Sequence, residues 1–141
     1  MAAGDDNRVP PSVEPPAMAV GARRALSAAE VAHFDLVAPS TARRARLAVV
    51  PLLPPGSSGM TLGRWVLLRP GHERRHALIA HELVHVEQWR DDGPLRFLRD
   101  YLSAYVRARR RGDAHRAAYL AIPAEEQARD RTERWSSRYW L

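Results

Sequence analysis

Residues 77 to 89, ALIAHELVHVEQW, constrain the chain more than any other stretch. Leu78, Ile79, Leu83, Val84 and Val86 recur at helical spacing and give a wide apolar face. A helix of that kind has to be covered by other elements. The same stretch carries His81, Glu82 and His85. A buried polar group without a partner is costly, so a fold that buries this helix must supply partners for all three. The apolar pattern begins at His76 or Ala77, and Asp91, Asp92 and Gly93 stop it.

The flanking sequence offers the covering elements. Upstream, LSAAEVAHFDLVAP (26 to 39) predicts a helix, with Ser27 as N-cap, Glu30 completing a capping box, and Pro39 ending it. RLAVVPLL and MTLGRWVLL are rich in strand formers, and the loop PPGSSG separates them. They predict two strands, the second over about residues 60 to 69. Pro51 makes the first an edge strand or a bent one. Downstream, Pro94 opens a helix whose Leu95, Leu98, Tyr101, Leu102, Tyr105 and Val106 form one stripe. Gly112 terminates it. AHRAAYLA reads as a short helix or turn, and Pro123 starts a last helix, PAEEQARDRTERWSSRYW. Helix, strands and then helices predict an α+β fold, with a small sheet on one side of a helical layer. Trp65 and Trp89 are expected as core anchors, and His33 and His76 as structural or solvent-facing residues.

Composition narrows the function classes. With 141 residues the chain has room for one domain and one core. Residues 1 to 20 are rich in proline, acids and small residues and are expected to form a disordered tail, with the domain spanning 21 to 141. No basic start followed by an apolar run marks a signal peptide, and the apolar runs are too short to span a bilayer. The expectation is a soluble cytoplasmic protein without membrane association. There is no cysteine, so disulfides and thiolate metal sites are excluded. The net charge is +6 and all 22 basic residues are Arg. Arg in place of Lys, with abundant Ala and Pro, fits a GC-rich bacterial genome. Runs such as RRAR at 43 to 46 and RARRR at 107 to 111 then read as solvated helix faces, and no nucleic-acid motif accompanies them.

His81 and His85 are four residues apart, one helical turn, and can each direct a ring nitrogen at one ion, at about 2.0–2.1 Å if it is zinc. Glu82 is rotated by about 100° from His81. It is poorly placed to bind that ion and well placed to take a proton from water on it. This is the logic of H-E-x-x-H in metalloproteases. The bland alternative is a pair of ordinary helix histidines. A catalytic zinc takes three protein ligands and keeps one position open. Without cysteine the third must be His, Asp or Glu, and Glu125 and Glu126 open the last helix. Taken alone, that acidic pair simply complements the helix dipole. Glu126 has Asp130 four residues on, an E-x-x-x-D spacing that resembles that of larger gluzincins, and the resemblance implies Glu126 as a rival third ligand with Asp130 orienting a ligand histidine.

Taken together, MTLGRWVLLRPG, LIAHELVHVEQWR, LRFLRDYLSAY and YLAIPAEEQAR resemble the small bacterial gluzincin-type zincins, the minigluzincins. The resemblance covers about residues 45 to 135. It implies a compact zincin-like fold and hydrolysis of peptide bonds in a peptide or protein substrate, with zinc held by His81, His85 and Glu125 and with Glu82 as general base. It also implies a strand beside the cleft, here MTLGRWVLL, onto which substrate adds. Gln127 stands where the family usually has an acid, which puts a supporting role at 127 in doubt. Tyr119, His115 and His72 are candidate donors to a developing oxyanion. Two other readings compete: a metal-stabilised binding or regulatory module with little hydrolysis, and an Arg-rich nucleic-acid binder.

Overall fold

The structure, a computed structural model, describes residues 13–138. In chain order it holds β1 (Arg23–Ala25), α1 (Ala28–His33), α2 (Pro39–Arg44), β2 (Arg46–Val49), β3 (Gly59–Leu62), β4 (Trp65–Leu68), α3 (His76–Asp92), α4 (Pro94–Arg110), α5 (His115–Leu120) and α6 (Pro123–Ser137). The strands form one mixed sheet in the order β1-β2-β4-β3. β1 pairs antiparallel with β2, β2 parallel with β4, and β3 antiparallel with β4. The chain therefore leaves β2, crosses to the far edge as β3, and folds back to insert β4 between them. α3 packs on this sheet, the other helices pack on α3 or on one another, and the architecture is the α+β one expected.

Several local expectations are corrected. The helix expected over 26 to 39 is two helices. Ser27 caps α1 and the capping box forms, but α1 ends at His33. Pro39 begins α2 at its first turn, where a missing N–H costs nothing. The single strand expected over 60 to 69 is a hairpin. Leu62 pairs with Trp65 across the two-residue loop Gly63–Arg64, and Gly63 has φ +63°, a conformation open to glycine. β2 is an interior strand rather than an edge, and it stops at Val49, ahead of Pro51. Residues 1–12 of the expected tail lie outside the described residues. Of residues 13 to 20, placed in the same tail, Val13 and Pro15 pack against the domain and are buried, and Arg74 Nε donates to the Pro15 carbonyl (3.1 Å).

The core runs between the sheet and α3. Leu47, Val66 and Leu68 from the sheet meet Ile79, Leu83, Val84 and Val86 from α3, with Phe34, Val37, Ala128 and Trp135 closing the sides. Full burial of each large side chain contributes about 1.5–3 kcal/mol. Trp89 is buried and stacks on Phe97 (ring centroids 4.6 Å). Trp65 is only half-buried, lying under the Arg23 guanidinium (5.7 Å), and is not a core anchor. His33 is structural, packed against Phe34 and Trp135 and 3.2 Å from His76. The α4 stripe faces outward: Leu95, Leu98, Leu102 and Val106 are all exposed, and Phe97 and Ala108 are the buried residues of that helix. Among the described residues, no helix is long and apolar enough to cross a membrane.

Candidate metal centre

The centre lies where α3 passes α6. One helical turn brings the His81 and His85 Nε2 atoms to 3.2 Å from each other. Ile122 is buried and Pro123 opens α6, which puts Glu125 in the first turn of that helix, facing α3. Glu125 Oε1 lies 3.0 Å from His81 Nε2 and 3.1 Å from His85 Nε2. Among the described residues these three side chains are the one His/Cys/Asp/Glu group whose ligand atoms all converge, within 4.8 Å of one another. Two imidazole nitrogens and a carboxylate oxygen are the donor set that suits zinc. Glu125 and His85 are almost fully buried, while His81 keeps 19% of its side chain accessible. Glu126 is exposed and turned away, and Asp130 pairs with Arg134 rather than with a histidine.

The centre holds Glu125 as an anion. Burial works against ionising Glu125, but hydrogen bonds from His81 and His85 outweigh it and hold the carboxyl well below the usual carboxylate range. Burial likewise lowers the His85 imidazole, yet the hydrogen bond and charge of Glu125 carry it above its ordinary value. Tyr101 donates to Glu125 Oε2 (2.9 Å), and Tyr119 also reaches this carboxylate. Burial, and then the Glu125 charge, push both phenols up, so both stay protonated donors.

Supporting residues that the sequence reading missed complete the arrangement. Gln88 Oε1 accepts from His85 Nδ1 (2.7 Å), so Nε2 is the ring nitrogen turned to Glu125 and the one that would face a metal. The Gln88 amide nitrogen donates to the Ala124 carbonyl (3.1 Å) and to Gln127 Oε1 (2.7 Å), tying α3 to the start of α6. Gln127 therefore does have a supporting contact, through its amide rather than an acid. Gln88 lies three residues after His85, a spacing that a search for helix neighbours of the ligands would have found. Glu82 is buried, and its Oε2 accepts from the Thr61 hydroxyl on β3 (2.7 Å). Gly59 gives it room: a Cβ there would sit 3.4 Å from Glu82 Oε1 and 3.2 Å from Leu78 Cδ1.

Two clefts meet at this group. The larger, about 510 Å³, is lined by His81 and Glu82 together with Arg75, His115, Tyr119 and Arg129. The smaller, about 210 Å³, holds Glu82, His85 and Glu125 on one side and Leu62, Trp89, Phe97, Leu98 and Leu102 on the other. Tyr119 and His115 are thus brought to the cleft. His72 is not; its Nδ1 faces Arg75 Nη1 (2.8 Å) outside it. β3, the strand beside the cleft, is the sheet edge that packs on α3. No family model, curated protein or solved structure matches the chain.

Proposed function

We propose that the protein is a zinc-dependent, metallopeptidase-like hydrolase of peptide bonds, with the ion held by His81, His85 and Glu125 and with Glu82 as general base. The observation that carries this reading is the convergence of those three ligand atoms beside Glu82, where two clefts meet. A zinc ion held there would supply Lewis acidity, polarising the scissile carbonyl and lowering the pKa of water towards about 7. Glu82 takes the proton of the attacking water and returns it to the departing amine. Thr61 fixes that carboxylate by donating to Oε2 (2.7 Å). Tyr119, kept protonated by burial and by the Glu125 charge, donates to the oxygen that becomes negative. Gln88 holds His85 in the tautomer that presents Nε2 to the ion. The substrate runs along the free edge of β3 as an added strand.

Metal analysis of the wild type beside Glu125→Ala, Glu126→Ala and Glu82→Gln tests this. The expected result is about one zinc per chain, lost in Glu125→Ala alone, with peptide hydrolysis abolished in Glu82→Gln despite bound zinc. A wild type without stoichiometric zinc removes the reading. Zinc bound identically, with no hydrolysis that Glu82→Gln can abolish, replaces it with a metal-stabilised binding module.

A further inference from the structure

The two clefts differ in chemistry. The larger one carries Arg75, Arg116, Arg129 and His115 on its walls, and the acids that face them are Glu133 and Glu82. Arg129 stands one helical turn beyond Glu125 on α6. Its Nη2 donates to the Leu120 carbonyl (2.6 Å), while its Nη1 is buried with no hydrogen-bond partner. That nitrogen is sealed from the cleft; what favours an anion there is the balance of the lining, three Arg and His115 against Glu82 and Glu133. Among the described residues, Glu133 is four positions further along the same helix yet forms no ion pair with it. The smaller cleft is walled by Leu62, Trp89, Phe97, Leu98 and Leu102, and among the described residues the charges lining it are Glu82, His85 and Glu125 of the centre itself. Leu98 and Leu102 are 41% and 56% exposed, so this wall opens outward along α4.

We infer that the protein selects peptides with a carboxylate side chain, Asp or Glu, on one side of the scissile bond and a bulky apolar side chain on the other. The carboxylate sits in the Arg129–Arg116 cleft and the apolar side chain lies against Leu98 and Leu102. This rests on the peptidase reading for what happens to the peptide, but not for its binding. The apolar wall alone would accept many sequences; the basic balance of the larger cleft is what favours an acid. A neutral amide in place of the acid supplies an acceptor without the charge, so it binds less well.

Full-length Glu82→Gln, loaded with zinc, is titrated with fluorescein-labelled peptides containing Glu and Leu two residues apart, in both orders, and with matched peptides in which Gln replaces the Glu. The expected result is binding about tenfold tighter for the Glu peptide in one order. Arg129→Gln in the same background should erase that preference. Arg116→Gln, at an exposed position, should weaken it without risk to folding. Equal affinity for Glu and Gln peptides overturns the inference, as does no binding of either, or a preference that survives both Arg substitutions. Turnover of these peptides by the wild type without acid selectivity overturns the inference and leaves the peptidase reading standing. Acid-selective binding without turnover does the reverse.

Discussion

Gln88→Met isolates the hydrogen bond that orients His85. Methionine keeps an unbranched side chain of similar length and fills the same space. It removes three hydrogen bonds: from His85 Nδ1 to Oε1 (2.7 Å), and from Nε2 to the Ala124 carbonyl (3.1 Å) and to Gln127 Oε1 (2.7 Å). Loss of such a partner behind a ligand histidine typically costs 10–100-fold in metal affinity, about 1.4–2.7 kcal/mol. The fold also loses stability, because hydrogen bonds contribute about 0.5–1.5 kcal/mol each. Gln127 is exposed and can return to water, so the net loss should be about 1–3 kcal/mol. Competition with a chromogenic chelator gives the zinc Kd, and urea unfolding of zinc-free protein gives the stability. The expected pair is a Kd raised 10–100-fold and a urea midpoint lowered by about 1 M. A Kd within about twofold of wild type, beside a lowered midpoint, would refute the reasoning. Gln88 would then brace α6 without governing His85.

Gly59→Ala would place a Cβ 3.2 Å from Leu78 Cδ1 and in ordinary contact with Glu82 Cγ and Oε1 (3.4 Å), so Leu78 must shift and turnover should fall by about threefold with zinc content unchanged; unaltered turnover in a steady-state assay would mean that Leu78 yields without disturbing Glu82. Ser27→Ala removes the side-chain half of the α1 cap and should cost about 1 kcal/mol in urea unfolding. Acid should weaken the fold through His33 and His76. Burial lowers both below 6.5, so both are neutral when folded, and the unfolded chain takes up the protons first. Stability is complete above pH 6.5 and falls as pH drops below it. Measured on zinc-saturated protein, the fall in urea midpoint should be smaller in His76→Leu; an identical fall in both proteins would assign it elsewhere.

Much of this arrangement was legible in the residues, and what was not has identifiable causes. The apolar frame around His81 and His85 located α3, and prolines at first turns located α4 and α6, because these are local signals that tertiary context reinforces. Glu125 stood out from Glu126 only through a resemblance; in space the choice follows from one residue of helical phase, which buries Glu125 and exposes Glu126. The hairpin was hidden because Gly63–Arg64 sits inside a continuous run of strand formers. β1 was invisible because Arg23–Ala25 has no apolar alternation and is a strand only by pairing with β2. Periodicity showed that α4 has an apolar face but not what lies opposite, and that face turns out to be exposed. Gln88 and Thr61 are polar residues with many ordinary uses, and only the approach of α6 and β3 gives them theirs.

The way α6 is held bears on whether a metal would serve chemistry or structure. A structural zinc closes its coordination with four protein ligands, and its binding energy is folding energy. Here three ligand groups converge among the described residues, and clefts open on both sides of them. Beside the Glu125 contacts to His81 and His85, α6 is docked by contacts that involve none of the ligands. Ala128 and Trp135 are buried in the main core, Trp135 Nε1 donates to the His33 carbonyl (3.0 Å), and Arg131 bridges to Glu87 and the Leu36 carbonyl. Gln88 adds its bonds to Ala124 and Gln127. Glu125 is therefore held opposite His81 and His85 by packing that an ion is not needed to complete. A site positioned in advance by a rigid surrounding shell, with clefts left open beside it, is what a reacting substrate requires and what a staple does not.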